Sequence, residues 1–412
     1  MYWILIFLMI VFCSGYYYAI TTQGATLTLF VLVVGTILLL WHKCKRTKKI
    51  CFSKNRIIFS MIFIFLIIVS GLINGNLGLS GAKLILTVMV SLLITECIDW
   101  NSFKSLFVKG MVIISLFAIL GYFFIHILNL DIFPRIQNYN GETYISGIFF
   151  SNLIYEYVGT TDRLQGVFWE PGLFATYLNM AILFCSKDMM SKFKYVGCIA
   201  LFSICLIMTK SGAGLMLLPI CFCVKYLIDN RHNSNPSLKT IVICLFLFAL
   251  VMSEFAFGFI ENNEYINRYV ISKWSDKDGI SLYSRVGSFA VDFIIGADNL
   301  FCGVGMDGYA GAIRTYSGSI VSSGTSTLTA YFAQFGVWGI LIVAAWCRCA
   351  FKISTKLHWL ARLGIISIFA IILSKEPHTS LLFMNTLLLY SWGKDFTLLS
   401  ETSNCVRKEV RA

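Results

Sequence analysis

Charge is scarce in this chain. Of its 412 residues only 13% are Asp, Glu, Lys or Arg, roughly half the share of an ordinary soluble domain. With 58% of the residues hydrophobic, that shortage excludes a soluble globular protein and points to one that crosses a membrane many times. Histidine is scarcer still, with five scattered residues. His126 lies in an apolar run and His378 in a short turn, and each reads as a packed side chain rather than a ligand or base. There is no P-loop, no H-E-x-x-H and no G-x-S-x-G, so nothing supports the chemistries those motifs carry. The 14 cysteines lie mostly in apolar segments or their short flanks, with only Cys302 well inside a large polar loop, and imply no disulfide framework. Cys221-x-Cys223 and Cys347-x-Cys349 lack the companion ligands of a zinc site.

What the chain does have is long apolar runs. A helix needs about 20 apolar residues to cross a bilayer. Runs near 2–20, 24–42, 57–73, 82–98, 110–129, 171–186, 195–209, 212–229, 240–259, 326–347, 361–374 and 380–392 give about 12 transmembrane helices, an all-α polytopic membrane protein. The chain starts apolar at Tyr2, without a basic stretch or an A-x-A-like site, and its first run reads as a span. With the N-terminus in the cytoplasm, most of the 33 basic residues fall on cytoplasmic segments. The net charge of +12 is then an orientation signal, and no nucleic acid is expected. Both termini are cytoplasmic in this reading. Two large external loops remain, about 130–170 and 260–325. Both are rich in Phe, Tyr and Trp and are expected to fold against the outer face, partly as short helices. Loops of this length are commonly functional.

The few cations on the outer side draw attention, because the orientation rule works against keeping them there. In "DRLQGVFWEPGLF", Arg163 and Glu170 crowd the mouth of a span opened by Pro171. Glu170 beside a helix N-terminus suits the dipole, with Arg163 as its ion-pair partner. Equally, the two supply a carboxylate acid or base next to a phosphate-binding guanidinium. Lys210 and Ser211 lie in "TKSGAG" between two spans, a cation and a hydroxyl at a helix N-terminus, which is a plausible anion site. Arg285 starts a short amphipathic helix, where a cation opposes the dipole and so points to function. "GVGMDG" (303–308) fits G-x-G-x-x-G, but without a strand before it the cofactor reading is rejected in favour of a tight turn. "DKD" (276–278) reads as a solvated turn.

These stretches resemble segments of the bacterial O-antigen polymerase and ligase superfamily (Wzy/WaaL type). "RLQGVFWEPGLFATYL" is similar to its R-x-x-G-x-F-x-E-P segment, and "LIMTKSGAG" to its T-x-S-R-G turn. "SRVGSFAVDFIIGADNLFCGVGMDGY" looks like its arginine helix and following glycine turn, and "TLTAYFAQFGVWG" like its closing span. Arg285 with Gly296, and Arg268 with Gly279, fit the R-x10-G spacing of some polymerases; Arg163 does not, since Phe174 occupies the glycine position. Superfamily ligases carry a histidine where this chain has Thr325, with Ser326, Gly336 and Gly339 in place, which favours the polymerase.

The resemblance implies a bacterial inner-membrane glycosyltransferase acting at the periplasmic face. It would move a growing glycan from undecaprenyl diphosphate onto a new lipid-linked repeat unit. Its partners would be undecaprenyl-diphosphate-linked oligosaccharides, membrane lipid and a polysaccharide chain-length regulator; no cofactor or metal is implied. Arg163, Lys210, Arg285 and Arg314 would meet the diphosphate and Glu170, then Asp307, would serve as base. Ser211, Arg268 and Trp169 would contact diphosphate or glycan. A ligase of the same superfamily and a polytopic transporter or flippase are the competing readings.

Overall fold

The computed structural model describes residues 2–47, 53–130, 132–138, 141–155, 159–160, 162–187, 190–229, 280–317, 324, 326–375 and 377–399. The expected span 240–259, Arg268 and the 276–278 turn lie outside them. The described chain is predominantly helical. Helices α1 (Tyr2–Phe12), α2 (Thr22–Thr47), α3 (Lys54–Ile73), α4 (Leu79–Cys97) and α5 (Trp100–Tyr122) precede the first large loop. Helices α6 (Pro171–Phe184), α7 (Lys192–Met208) and α8 (Gly212–Asp229) follow it. Then come α9 (Ile280–Asp298), α10 (Gly305–Ser317), α11 (Thr327–Phe335), α12 (Gly339–Ile353), α13 (Trp359–Lys375) and α14 (Leu382–Tyr390). Six helical segments among the described residues are long and apolar enough to cross a membrane: Gly24–His42, Lys54–Ile73, Leu79–Cys97, Trp100–Ile127, Gly212–Asp229 and Thr327–Ile353.

Several expected spans differ. The run 2–20 is broken: α1 stops at Phe12, and a separate 3-10 turn, Tyr17–Ile20, follows. The runs 171–186 and 380–392 hold helices of only 14 and 9 residues, α6 and α14, and every residue in both is buried. A helix that is apolar all round belongs inside a bundle. Here the two short helices form the centre, and longer helices sheathe them. Aromatic side chains pack that centre: Phe107 stacks on Phe383 with centroids 4.2 Å apart, and Phe168 on Tyr177 at 4.7 Å. Between helices in lipid the cohesion comes from close packing rather than from escape from water, and small residues permit it. A Cβ on Gly214 of α8 would lie 2.6 Å from the Cβ of Ala175 on α6.

Among its described residues the first large loop holds strands and no helix. Four short strands, β1 (Arg135–Gln137), β2 (Thr143–Ser146), β3 (Ser151–Tyr155) and β4 (Gly159–Thr160), form an antiparallel sheet in sequence order. The reason is local. β-branched and aromatic residues flank a turn in which Gly141 takes φ +86° and its N donates to Asn138 O at 3.1 Å. The sheet ties down the segment before α6. Ser151 N donates to Gly166 O at 2.6 Å, Leu153 N to Gln165 Oε1 at 3.2 Å, and Tyr144 Oη to Trp169 O at 3.1 Å.

The second loop contains α9, longer than the short helix expected there, and α10. The "GVGMDG" stretch joins them, with a helix before it where a dinucleotide fold needs a strand. Its glycines serve contact. Gly303 takes φ +61°, and a Cβ there would sit 2.3 Å from the Gln334 carbonyl carbon. Gly336, φ +60°, meets Leu300 O in the same way at 2.2 Å. Ser70 Oγ donates to Cys302 O, and Asn74 Nδ2 to Gly303 O, fastening this joint to the end of α3.

Candidate functional site

Backbone pairings bring several chain segments to one end of the bundle. Tyr17 N donates to Val167 O, Trp169 N to Gly15 O, Leu164 N to Met208 O and Leu382 N to Cys13 O. The turn between α7 and α8 lies at the centre of this end. Helix α7 leaves its last carbonyls without intrahelical partners. Arg163 answers two of the turn's carbonyls: Nε donates to Thr209 O at 3.1 Å and Nη2 to Lys210 O at 3.4 Å. Cations suit this end of a helix dipole. The Nη1 edge of the guanidinium has no hydrogen-bond partner among the described residues.

Lys210 holds φ +49°, one of two non-glycine residues with positive φ among those described. This position after a helix usually falls to glycine or asparagine. A lysine there carries backbone strain on the order of 1–3 kcal/mol, and such strain clusters at functional sites. Its ammonium pairs with Asp162. Ser211, buried, accepts a hydrogen bond from Lys375 Nζ at 2.8 Å. The structure thus gathers Arg163, Lys210, Ser211 and a residue the sequence did not assign to the site, Lys375, around one turn. Lys375 is the last residue of the apolar helix α13, and a charge at the end of an apolar run was the available signal.

Glu170 is the N-cap residue of α6, yet its side chain makes no cap hydrogen bond. Among the described residues it does not pair with Arg163, so the ion-pair cap is set aside. The Gly214–Ala175 contact fixes α6 against α8. Glu170 and Ser211 each stand about a turn ahead of that contact, at the same end. Trp169 is half-buried and held through its backbone, with N on Gly15 O and O accepting from Tyr144.

Asp307 is engaged by backbone. Its carboxylate accepts from Gly78 N (2.9 Å), Ser80 N (2.9 Å) and Gly81 N (3.0 Å), closing the N-terminus of α4 from a partner far along the chain. Partial burial pushes its pKa up, but the hydrogen bonds from Gly81, Ser80 and Gly78 outweigh this and hold it below the ordinary carboxylate value. Arg314 is exposed in the last turn of α10, and Arg285 lies in the second turn of α9.

A carboxylate that the sequence reading missed stands seven residues beyond Arg285 on the same helix. Asp292 is fully buried, accepting from Tyr309 Oη and Thr329 Oγ1, each at 2.6 Å. Burial raises its pKa to about 6 against the lowering effect of those bonds. It ties α9 to α10 and α11. A charge in the apolar run "AVDFII" was the signal. Nearby, His378 N donates to Thr327 Oγ1 at 2.8 Å. Burial lowers the pKa of the His378 imidazole to about 3, so the ring is neutral. Its Nε2 faces Ile372 O at 3.2 Å, while Nδ1 is buried without a partner among the described residues.

No group of three or more His, Cys, Asp or Glu among the described residues is placed to hold a metal ion. The arrangement can bind an anion: cations and a hydroxyl converge, a guanidinium edge is open, and a carboxylate stands at the same end. In comparisons with known proteins, no family model and no curated protein matches the chain.

Proposed function

We propose that this chain is a polytopic membrane glycosyltransferase that polymerises lipid-linked glycans, an O-antigen polymerase of the bacterial inner membrane. The observation that carries the reading is the α7–α8 turn, where Arg163, strained Lys210, Ser211 and Lys375 converge at the end of an apolar bundle. In the reaction, a hydroxyl oxygen of the acceptor glycan attacks the anomeric carbon of the donor glycan. The bond from that carbon to the undecaprenyl diphosphate oxygen breaks, and the diphosphate leaves with the electron pair. The hydroxyl proton passes to a base, for which Glu170 is our candidate. Charge develops on the leaving diphosphate, and preorganised cations favour that transition state over the ground state. Arg285 and Arg314 are assigned to the same anion, and Arg268 to diphosphate or glycan contact. Outer-face chemistry follows if the basic side chains at the opposite end, among them Arg56, Lys104, Lys225 and Lys352, lie in the cytoplasm.

The test is Arg163→Ala and Lys210→Ala in a strain lacking the native gene, with lipopolysaccharide resolved on a gel. The expected pattern is core plus a single repeat unit and no ladder. Loss of the single unit as well would indicate a ligase or flippase, and a normal ladder from both variants would remove the site.

A further inference from the structure

Lys83 stands in the second turn of α4, at the same end of the bundle as the α7–α8 turn. It is half-buried, yet among the described residues its ammonium has no carboxylate partner and donates no hydrogen bond. Three N–H donors without acceptors are costly in an apolar setting, and an unpaired cation there is a functional candidate. The carboxylate closest along that helix end, Asp307, has both oxygens occupied by the backbone of α4. The other polar neighbour is the Cys13 thiol, within electrostatic reach and itself aimed at Thr28 O. The lysine therefore sits where an anion from outside the protein would complete it.

Its position relative to the first cluster follows from helix register. Helices α4 and α14 run in parallel: Ser91 meets Thr386 at 3.2 Å and Tyr390 Oη donates to Ile98 O at 2.9 Å. Lys83 precedes Ser91 by eight residues, about 12 Å of helix. That places it level with the turn between α13 and α14. At the start of this turn, Lys375 holds Ser211. Two cationic groups thus stand level with one turn.

We propose that Lys83 binds the diphosphate of the second lipid-linked substrate. The inference rests on the polymerase reading, since joining two lipid-linked glycans brings two diphosphates to one membrane surface. Only the donor's departs; the acceptor's stays on its lipid. A second diphosphate entering an occupied cluster meets like charge, so it needs a cation of its own.

The test uses the purified full chain in nanodiscs, with undecaprenyl diphosphate as the probe and bound copies counted by native mass spectrometry. Wild type is expected to take up two. Lys83→Met, which keeps length and suits an apolar span, is expected to take up one, and Lys83→Arg two. Lys210→Met is expected to lose the other copy. Two copies on Lys83→Met, or the same single copy on it and on wild type, would overturn the assignment of Lys83. If Lys210→Met loses binding in that case, the polymerase reading stands without Lys83. No binding to wild type would remove both.

Discussion

Lys210 carries a cost in backbone conformation that its side chain must justify. Lys210→Gly removes the strain and Lys210→Ala keeps it. Glycine is therefore expected to be the more stable variant by about 1 kcal/mol, seen as the higher midpoint in thermal unfolding, while both variants lose polymer. Equal midpoints would mean that the left-handed backbone is not strained. Asp292 makes a different prediction. Its folded-state pKa, near 6, lies above the ordinary carboxylate value. Its contribution to stability is thus complete below about pH 4 and is lost as pH rises through 6. Hydrogen exchange across α9 and α10, corrected for intrinsic rates, is expected to speed up between pH 5 and pH 7.5. Asp292→Asn should flatten that dependence, and an unchanged pH profile in the variant would assign the loosening elsewhere.

Helix ends explain why some residues read as catalytic in the sequence and structural in space. Asp307 looked like a base in an external loop, but its partners at Gly78, Ser80 and Gly81 are some 230 residues away, and no local pattern announces them. Asp307→Asn is expected to cost about 0.5–2 kcal/mol, the range for losing an N-cap, and to leave polymer length unchanged in membranes carrying equal protein. Loss of polymer without loss of stability would return Asp307 to the chemistry. The strands of the first loop were legible in principle, at Asn140-Gly141 and the alternating "ETYIS". Aromatic richness in an apolar chain masked them. The breaks at Gly15 and Gly336 were hidden for a different reason. Hydropathy registers where a run is apolar, not where a glycine lets two backbones touch, as Gly336 does against Leu300. The cation-bearing turn at 209–211 was the most readable feature, because charge stands out where there is so little of it. Lys375 and Lys83 are also cations near the ends of apolar runs, but only packing shows one on Ser211 and the other without a partner among the described residues.

Across the whole molecule, two populations of charge occupy opposite ends of an apolar bundle. At one end Arg56 meets Glu96 at 3.1 Å, Lys225 meets Asp229 at 3.4 Å, and Lys104 meets the carbonyls of Thr397 and Leu398 at 3.3 and 3.2 Å, with Arg56 Nε buried and unpartnered among the described residues. At the other, Lys210 pairs with Asp162 and Lys375 with Ser211, while Arg163 keeps an open edge and Lys83 lacks a partner among the described residues. The proposed external anion binds at this second end. The most direct measurement places purified protein in vesicles with undecaprenyl-diphosphate-linked repeat units and follows glycan length and free undecaprenyl diphosphate together. The account predicts one lipid diphosphate released for each repeat joined by wild type, and neither product from Lys210→Ala. Unextended glycan from folded wild type, or chain growth without lipid diphosphate release, would contradict it.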